Sequence, residues 1–424
     1  MKINTKSNYF IWLALLPFLL LYTIISVIYS HNTFVSDESR YFMFANNILN
    51  GYYSPDAPNI NLWNGPGYPL LMAFFLFVKL PILSIKIFNA VLLYLSLVIS
   101  YKTLRFYLSE KKSLVMSLIL GLYFPIYESL PFLMTEIPTW FLVALVSYLF
   151  IKNFQRNEIS WKYIILAALA FAFIALTKIM FGMVLIVSLI VSFLFFLVPG
   201  YRQKTKKALI IFFISFIFCT PWLGYTYKLT NNVFYWGDSG GMSLYTMSSP
   251  YENELGDWSN ERELYSNPNH KEFIDSILIL NPVQKDQAYR AMAIKNIVKH
   301  PKKYFLNWMA NCGRLLFSFP FSNSTQSIKT YFTLIPNMLI MIPLFFAFIL
   351  CILFWKKLPP ELVFLLLFFL IYFFGSSLVS GYRRMFYISM PFWIILISFV
   401  FSQIVTIRLK TGDACSPHTE NKKN

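Results

Sequence analysis

The feature that most constrains this chain is a series of long apolar runs, of which 9–30 is the first. Several runs reach the roughly 20 residues that a helix needs to cross a bilayer. The sequence is 57% hydrophobic and only 13% charged, with 45 Phe and 27 Tyr. Because a backbone in lipid must satisfy its own hydrogen bonds, these runs predict a bundle of transmembrane helices. We therefore expect an all-α polytopic membrane protein.

About ten spans are predicted from run length and charge placement. They are 9–30, 85–107, 113–130, 136–152, 160–177, 179–199, 207–227, 331–354, 359–379 and 384–407. The first run lacks a small-x-small cleavage site, which favours an uncleaved anchor. The apolar run 68–82 is too short to span, and we predict an interfacial or re-entrant helix there.

The net charge of +17 suggests nucleic acid as a partner, but the position of the basic residues argues against it. They gather at alternate loop ends, for example at 102–112, 152–162 and 202–207. This is the positive-inside pattern. It predicts a multi-pass protein of the inner (plasma) membrane with both termini in the cytoplasm and contacts with anionic lipid.

The pattern also divides the chain. We predict a catalytic transmembrane core at 1–230, which contains the first outside loop 31–69. An extracytoplasmic segment, 228–330, precedes C-terminal transmembrane helices at 331–407 and a cytoplasmic tail at 408–424. Within the extracytoplasmic segment, 286–300 has a charged helical pattern, and the basic, amphipathic stretch from Pro301 is typical of a helix in the membrane interface.

The first outside loop carries the most informative residues. Asp37 and Glu38 precede an apolar stripe at helical spacing that begins at Tyr41, and Gly51 ends the pattern. Asp37 lies one turn before Tyr41, so its side chain should face the protein and could act as a general base. The alternative is that acids simply favour the first turn of any helix. A turn rich in Pro and Gly follows, which includes Gly65.

Two further sets of charged residues lie in predicted outside turns. Glu128 and Glu136 fall in a turn without basic residues. Cations outside break the topological preference: Arg40, Lys86, Lys178, Arg383 and Arg384. A cation at this depth is costly unless it snorkels to the headgroups or meets an anion. Several cations opposite acidic loops predict a phosphate-binding site at the membrane surface.

No nucleotide-binding loop and no hydrolase, zinc-protease or dinucleotide motif is present. The four Cys and four His are scattered, so we predict neither a disulfide framework nor a metal site. No cofactor is predicted, although a divalent cation held by carboxylates stays an alternative. The energy of any reaction must then come from an activated substrate.

With these residues in place, the chain resembles the GT-C type membrane glycosyltransferases. The nearest resemblance is to the bacterial branch of the dolichyl-phosphate-mannose protein mannosyltransferases and the aminoarabinose lipid A transferases. Four stretches carry it: DESRYFMFANNILNG followed by NGPGYPLLMAFF, LPFLMTEIPTWFLVALVSYLF, FIALTKIMFGMVL and GYRRMFYISMPFWIIL. The third departs from the family pattern, since Lys178 and Ile179 stand where Arg-Pro is usual.

The resemblance implies a polyprenyl-phosphate sugar as donor and an inverting transfer outside the cytoplasm to a glycan, lipid or protein acceptor. Asp37 would be the general base, and Glu38 would support it or contact the acceptor. Glu136, with Glu128, would be the second carboxylate. The donor phosphate would be bound by Lys178, Arg384, Arg383 and Lys86. The substrate loop would include Tyr41, Gly67, Tyr68 and Pro69.

Two other classes compete with this interpretation. An O-antigen-type polysaccharide polymerase or ligase is also polytopic and basic, but such proteins depend on paired Arg-rich outside loops more than on an acidic pair in the first loop. A transporter or flippase needs ionisable groups near the middle of the membrane. In this sequence the charges cluster at span ends, which favours the glycosyltransferase.

Overall fold

The computed structural model describes residues 5–31, 33–323 and 328–405, and within these ranges every regular element is a helix. The α-helices are α1 (Thr5–Ile28), α2 (Glu38–Leu49), α3 (Gly67–Phe77), α4 (Ile82–Leu104), α5 (Glu110–Gly121), α6 (Glu136–Phe154), α7 (Trp161–Thr177), α8 (Met180–Leu197), α9 (Arg202–Thr230), α10 (Gly240–Met247), α11 (Glu261–Ser266), α12 (Pro268–Ile277), α13 (Pro282–Lys299), α14 (Pro301–Phe317), α15 (Tyr331–Leu353), α16 (Pro360–Val379), α17 (Arg383–Tyr387) and α18 (Met390–Phe399). Short 3₁₀ turns occupy Phe124–Ser129, Ile328–Thr330 and Trp355–Lys357, and a π-helical turn occupies Val400–Ile404.

The all-helical membrane class is confirmed, whereas the number of ten spans is not. Within the described ranges, seven helices are long and apolar enough to cross a bilayer: α1, α4, α6, α8, α9, α15 and α16. Three shorter apolar helices are α3, α7 and the α18 helix with its π-helical turn. The tail 408–424, assigned to the cytoplasm from the sequence, lies outside the described residues.

The predicted span 113–130 differs most from the structure. There α5 ends at Gly121, and the chain continues as a 3₁₀ turn over Phe124–Ser129. Pro125 has no amide hydrogen to donate to an α-helical bond, and it lies in the first turn of the 3₁₀ element, where that donor is not needed. The remaining helix has 12 residues, which is short for a crossing.

The first loop folds as its pattern predicts. The apolar stripe forms α2, in which Tyr41, Phe44 and Ala45 are buried. Gly51 ends the pattern with a φ of +87°, a conformation that glycine adopts without steric cost. The apolar run after the Pro/Gly turn forms α3, a helix of 11 residues and therefore too short to span.

Aromatic side chains fill the centre of the helix bundle. Phe171 of α7 packs against Phe212 of α9 and Phe368 of α16, with ring centroids 5.3 Å and 5.0 Å away. Phe181 of α8 stacks on Tyr372 of α16 at 4.1 Å. Such pairs bury large apolar surfaces and add directional contacts. They hold α16 against α8, so the chain entering α17 has a fixed position.

The segment between α9 and α15 contains α10 to α14 and has its own small apolar core. Two of its helices begin with capping boxes, at Asn260 for α11 and at Asn281 for α13. The charged pattern at 286–300 forms most of α13, and Pro301 is the first residue of α14, as the sequence predicted.

Candidate functional site

Four charged side chains meet at one end of the bundle, and we call them the charged cluster: Asp37, Glu136, Lys178 and Arg384. Asp37 precedes α2, and Glu136 is the first residue of α6. Lys178 lies in the break between α7 and α8, and Arg384 is in the short helix α17. Residues far apart in sequence therefore converge where spanning helices begin or end.

Arg384 is the centre of the charged cluster. Its Nη1 lies 3.5 Å from Oδ2 of Asp37, and its Nε lies 3.8 Å from Oε1 of Glu136. Lys178 Nζ donates to the same Glu136 oxygen at 3.1 Å. The side chain of Glu136 is 3% exposed and that of Arg384 is 35% exposed. One cation therefore bridges the two carboxylates that the sequence placed in separate turns.

The Pro/Gly turn after the first loop explains how Lys178 is placed. A Cβ at Gly65 would lie 2.1 Å from the carbonyl oxygen of Leu176, and a Cβ at Gly67 would lie 2.4 Å from Oγ1 of Thr177. Only glycine permits this approach of one backbone to the end of another helix. The turn therefore packs against the last residues of α7, immediately before Lys178.

Asp37 has a second cationic partner within its own helix. Arg40, three residues later, pairs with Asp37 through Nη2, as the i,i+3 spacing permits. Arg40 Nε also donates to Oδ1 of Asn64 at 3.2 Å, and the Asn64 amide donates to the Tyr41 hydroxyl at 3.1 Å. These contacts hold the Asp37 side chain at the start of α2, 18% exposed.

Glu38, the other half of the acidic pair, has a different environment. It is 1% exposed and accepts hydrogen bonds from the backbone amides of Val35 at 2.8 Å and Leu133 at 2.7 Å. Because both carboxylate oxygens are occupied by backbone, Glu38 links the first loop to the turn before α6. A direct contact of Glu38 with an acceptor stays a prediction.

Arg383 forms a separate ion pair next to the charged cluster. Its Nη2 donates to Oε2 of Glu128 at 2.7 Å, and its Nη1 donates to Oγ1 of Thr333 at 2.9 Å. Tyr387 donates from its hydroxyl to the other Glu128 oxygen at 3.4 Å. The predicted residues Glu128 and Arg383 are thus together, and each is already engaged by protein groups.

The electrostatics of these groups follow from burial and from neighbouring charges. Burial raises the pKa of Glu128 above its usual value, although Arg383 opposes this. Burial alone would lower the pKa of Arg384, but the carboxylates of Glu136 and Asp37 outweigh it and raise the pKa. Arg384 therefore stays cationic throughout the physiological range.

The remaining predicted residues lie elsewhere or are enclosed. Lys86 donates to Ser30 Oγ at 2.9 Å and to the His31 carbonyl at 3.3 Å, beside the end of α1. Gly67, Tyr68 and Pro69 form the first turn of α3 and are buried. Their role as a substrate loop, with that of Tyr41 in α2, stays a prediction.

Sequence reasoning named Arg40 among the outside cations but gave it no role beside Asp37, and it left Asn64 out of the site. The signals were present, because Arg40 is three residues from Asp37 and Asn64 directly precedes the Gly-Pro-Gly turn. Tyr387, three residues after Arg384, was also missed, and only the fold brings it to Glu128.

The residues present fit an anionic ligand better than a metal ion. In the part of the chain that the structure describes, no group of three or more His, Cys, Asp or Glu side chains could hold a metal. Asp37 and Glu136 are each paired with cations. Lys178 and Arg384 offer the point charge and the planar fork that phosphate groups require.

The chain is similar to one protein family over part of its length and to several solved structures. The family of dolichyl-phosphate-mannose-protein mannosyltransferases matches residues 64–225. No curated protein matches the chain in sequence. The structure of the Archaeoglobus fulgidus oligosaccharyltransferase tethered with an acceptor peptide has a TM-score of 0.52 at 12% identity. The match covers 93% of this chain and 49% of the oligosaccharyltransferase chain.

A second similar structure is the archaeal oligosaccharyltransferase AglB of Archaeoglobus fulgidus, in complex with an inhibitory peptide and a dolichol-phosphate. Its TM-score is also 0.52 at 12% identity, and the match covers 96% of this chain and 53% of the AglB chain. The match to ArnT of Cupriavidus metallidurans, bound to undecaprenyl phosphate, has a TM-score of 0.39 at 12% identity and covers 91% of this chain and 76% of ArnT. The chain spans about half the length of the archaeal chains. The chain therefore resembles the dolichyl-phosphate-mannose-protein mannosyltransferases in sequence over 64–225 and has a fold similar to that of the Archaeoglobus fulgidus oligosaccharyltransferase.

Proposed function

We propose that this protein is a glycosyltransferase that moves a sugar from a polyprenyl-phosphate donor to an acceptor hydroxyl. The observation that carries the proposal is the position of Arg384 between Asp37 and Glu136, with Lys178 on the same Glu136 oxygen. The matched family is named for a dolichyl-phosphate-linked donor, and one structure of similar fold holds a dolichol-phosphate.

The cations of the charged cluster supply the donor side of the reaction. Arg384 has no hydrogen bond to any residue that the structure describes, and its two contacts with carboxylates, at 3.5 and 3.8 Å, are longer than charge-assisted hydrogen bonds of about 2.7–2.9 Å. Its guanidinium can therefore donate hydrogen bonds to phosphate oxygens. Negative charge builds on the phosphate as it leaves, so a fixed cation there stabilises the transition state most.

Asp37 supplies the acceptor side as the general base. Its carboxylate pairs with Arg40 and is 18% exposed at the start of α2. As the acceptor oxygen bonds to the anomeric carbon, Asp37 takes the hydroxyl proton and the bond to phosphate breaks. A single displacement with base and phosphate on opposite faces of the sugar inverts the anomeric centre.

This geometry requires a change on donor binding. The 3.5 Å between Arg384 Nη1 and Asp37 Oδ2 leaves no space for a sugar ring. We infer that the donor phosphate draws Arg384 away from Asp37, while Arg40 keeps its contact with Asp37. Glu136 retains Lys178, which lies 3.1 Å away, as its counter-ion.

The reaction takes place on the outer face of the inner membrane in this proposal. The charged cluster lies at span ends opposite the basic loops such as 202–207, and the positive-inside rule assigns those loops to the cytoplasm. We expect the transferred sugar to be a hexose or a pentose, and the donor that is turned over will identify it.

The test uses the purified full-length protein in lipid nanodiscs with a panel of radiolabelled polyprenyl-phosphate sugars. We expect one donor to be turned over and Asp37→Asn to slow turnover about 10³-fold while donor binding is retained. Asp56→Asn, in an exposed position of the same loop, is the matched control and should keep full activity.

Two results would contradict the proposal. Equal turnover by wild type and Asp37→Asn would remove Asp37 as the base. Turnover of undecaprenyl-diphosphate oligosaccharides, with none of any monophosphate donor, would instead indicate the polysaccharide polymerase.

A further inference from the structure

A cleft separate from the charged cluster lies where the first loop faces the segment that joins α9 to α15. Its volume is about 390 Å³, and its lining includes Asn59, Asn61, Trp63, Asp238 and Tyr289. The Trp63 ring lies 5.3 Å from the guanidinium of Arg40, which pairs with Asp37. Two side chains therefore connect the cleft to the proposed base.

The walls of the cleft are joined through backbone groups. Leu62 donates from its amide to Oδ2 of Asp238 at 2.8 Å, and the Asp238 amide donates to the Leu62 carbonyl at 3.2 Å. A Cβ at Gly237 would lie 2.5 Å from that carbonyl. The first loop is therefore held closely against the outer segment, and the cleft between them has a defined shape.

Two of the residues that line the cleft, Asp238 and Tyr289, carry buried polar atoms without partners in the described part of the chain. Asp238 is 6% exposed and Tyr289 is 3% exposed. Asp238 Oδ1 and the Tyr289 hydroxyl have no hydrogen-bond partner among the residues that the structure describes. Buried polar groups are rarely left unpaired, because the loss of hydration is then not compensated. A ligand with hydroxyl groups supplies both the donor and the acceptor that are missing.

The charges of the lining select against an anionic ligand. Its ionisable side chains are three acids and one base, namely Asp238, Glu261, Asp286 and Lys285. Lys285 is already paired with Glu261 at 2.6 Å. Burial raises the pKa of Asp238 to about 6, so this carboxyl can also be protonated and donate. Within the described ranges, no cation at the cleft is left free for a phosphate group, because Lys285 is paired with Glu261 and Arg290 is paired with Asp286 at 2.8 Å.

We propose that this cleft binds an uncharged oligosaccharide, as the acceptor in the transfer reaction. The proposal rests on the proposed function and names the chemical class of its acceptor. Trp63 offers an aromatic surface to the apolar face of a sugar ring, while Asn59, Asn61 and Asp238 bond the hydroxyls. From this position an acceptor hydroxyl approaches Asp37 past Arg40.

The test measures binding of neutral tetrasaccharides of glucose, galactose, mannose and N-acetylglucosamine to the full-length protein in nanodiscs, by saturation-transfer NMR and titration. Each is compared with its 6-phosphate form. Tyr289→Phe removes one unpaired oxygen and leaves the ring packed 5.4 Å from Tyr245. We expect Tyr289→Phe and Asp238→Asn to weaken binding about tenfold, and Tyr265→Phe, whose exposed hydroxyl lies outside the cleft, to leave it unchanged.

Three results would overturn the acceptor proposal: no neutral oligosaccharide binds, a phosphorylated form binds more tightly than its neutral parent, or both cleft variants bind as wild type does. Donor turnover by the wild-type protein, measured in the same preparations, reports on the proposed function separately. Sugar binding without turnover of any donor would contradict the proposed function and support the cleft as a sugar-binding site. Turnover without sugar binding would support the proposed function and contradict the acceptor proposal.

Discussion

Two regions of this protein bury charged side chains, and they do so in different ways. One is the charged cluster. The other, which we call the segment network, consists of Glu254, Asp257, His270 and Arg314 between α9 and α15. In the segment network every charged group is closely bonded, whereas Arg384 in the charged cluster is 35% exposed and has no hydrogen bond to a described residue. The difference separates charges that hold the fold from charges that are available to a ligand.

The bonds of the segment network show how complete its pairing is. Glu254 accepts hydrogen bonds from Ser249, Asn267, Asn269 and His270. Arg314 is 1% exposed, donates to the carbonyls of Leu255 and Pro320 and lies 3.6 Å from Asp257. Asp257 in turn accepts from Ser322 and Asn323. A ligand would have to break several bonds to reach any of these charges.

The largest expected effect comes from the matched substitutions Arg314→Met and Arg384→Met. Arg314→Met leaves Asp257 buried without its counter-ion, so we expect unfolding to become easier by about 3–5 kcal/mol. Arg384→Met should leave stability nearly unchanged, because Glu136 keeps Lys178 and Asp37 keeps Arg40. It should instead slow donor turnover about 10²–10³-fold.

Thermal unfolding and donor turnover of both variants check this contrast. A large loss of stability in Arg384→Met, with turnover reduced only in proportion to the folded fraction, would place Arg384 with the structural charges. Normal stability of Arg314→Met would show that the segment network is not needed for the fold.

The next largest expected effect is a loss of stability at low pH, caused by protonation of Glu254 in the segment network. Burial would raise the pKa of Glu254, but hydrogen bonds from His270, Ser249 and Asn269 outweigh it and lower the pKa to about 2. A lowered folded-state pKa stabilises the protein above about 4.5, and this contribution is lost as the pH falls toward about 2. We expect a loss of about 2 kcal/mol between pH 5 and pH 3.

Unfolding of wild type and Glu254→Gln at pH 5 and pH 3 measures this contribution, since the variant lacks the titrating group. Glu252→Gln, at an exposed position two residues away, should behave as wild type. The same slope in wild type and Glu254→Gln would assign the acid sensitivity to other carboxylates.

A smaller effect tests whether backbone packing positions the charged cluster. A Cβ at Gly65 would lie 2.1 Å from the Leu176 carbonyl oxygen, so Gly65→Ala must shift the end of α7 and with it Lys178. We expect a cost of about 1–3 kcal/mol in stability and about a tenfold loss of turnover. Gly224→Ala, where a Cβ meets nothing within 4 Å, is the control. Full activity of Gly65→Ala would separate the turn from the site.

Much of the fold could be predicted from the sequence, because membrane spans and short helices leave local signals. The stripe from Tyr41 and the stop at Gly51 define α2, and Pro301 marks the start of α14. The break after Gly121 was missed because the apolar composition of 113–130 suggests a continuous run. There, Pro125 and the 3₁₀ turn outweigh hydropathy.

The sequence predicted which charged residues are candidates for the site better than it predicted which groups each of them contacts. Cations that break the positive-inside pattern pointed to Lys178 and Arg384, which the structure brings together with Asp37 and Glu136. The same argument selected Lys86, which instead bonds Ser30 and His31. Sequence position alone cannot distinguish these outcomes, since each depends on which neighbouring helix end faces the cation.

Arg383 is the final test of the difference between the charged cluster and the segment network. It lies beside Arg384, but like the charges of the segment network it is hydrogen-bonded to protein groups. Its two contacts, with Glu128 and Thr333, occupy the guanidinium. The pair with Glu128 has side chains 31% and 42% exposed, and such pairs contribute about 0–1 kcal/mol. We therefore expect Arg383→Ala to change stability little and to slow donor turnover less than about fivefold, far less than Arg384→Met. A loss as large as that of Arg384→Met would add Arg383 to the phosphate site, and a loss in Arg383→Ala with full activity in Asp37→Asn would favour the polymerase.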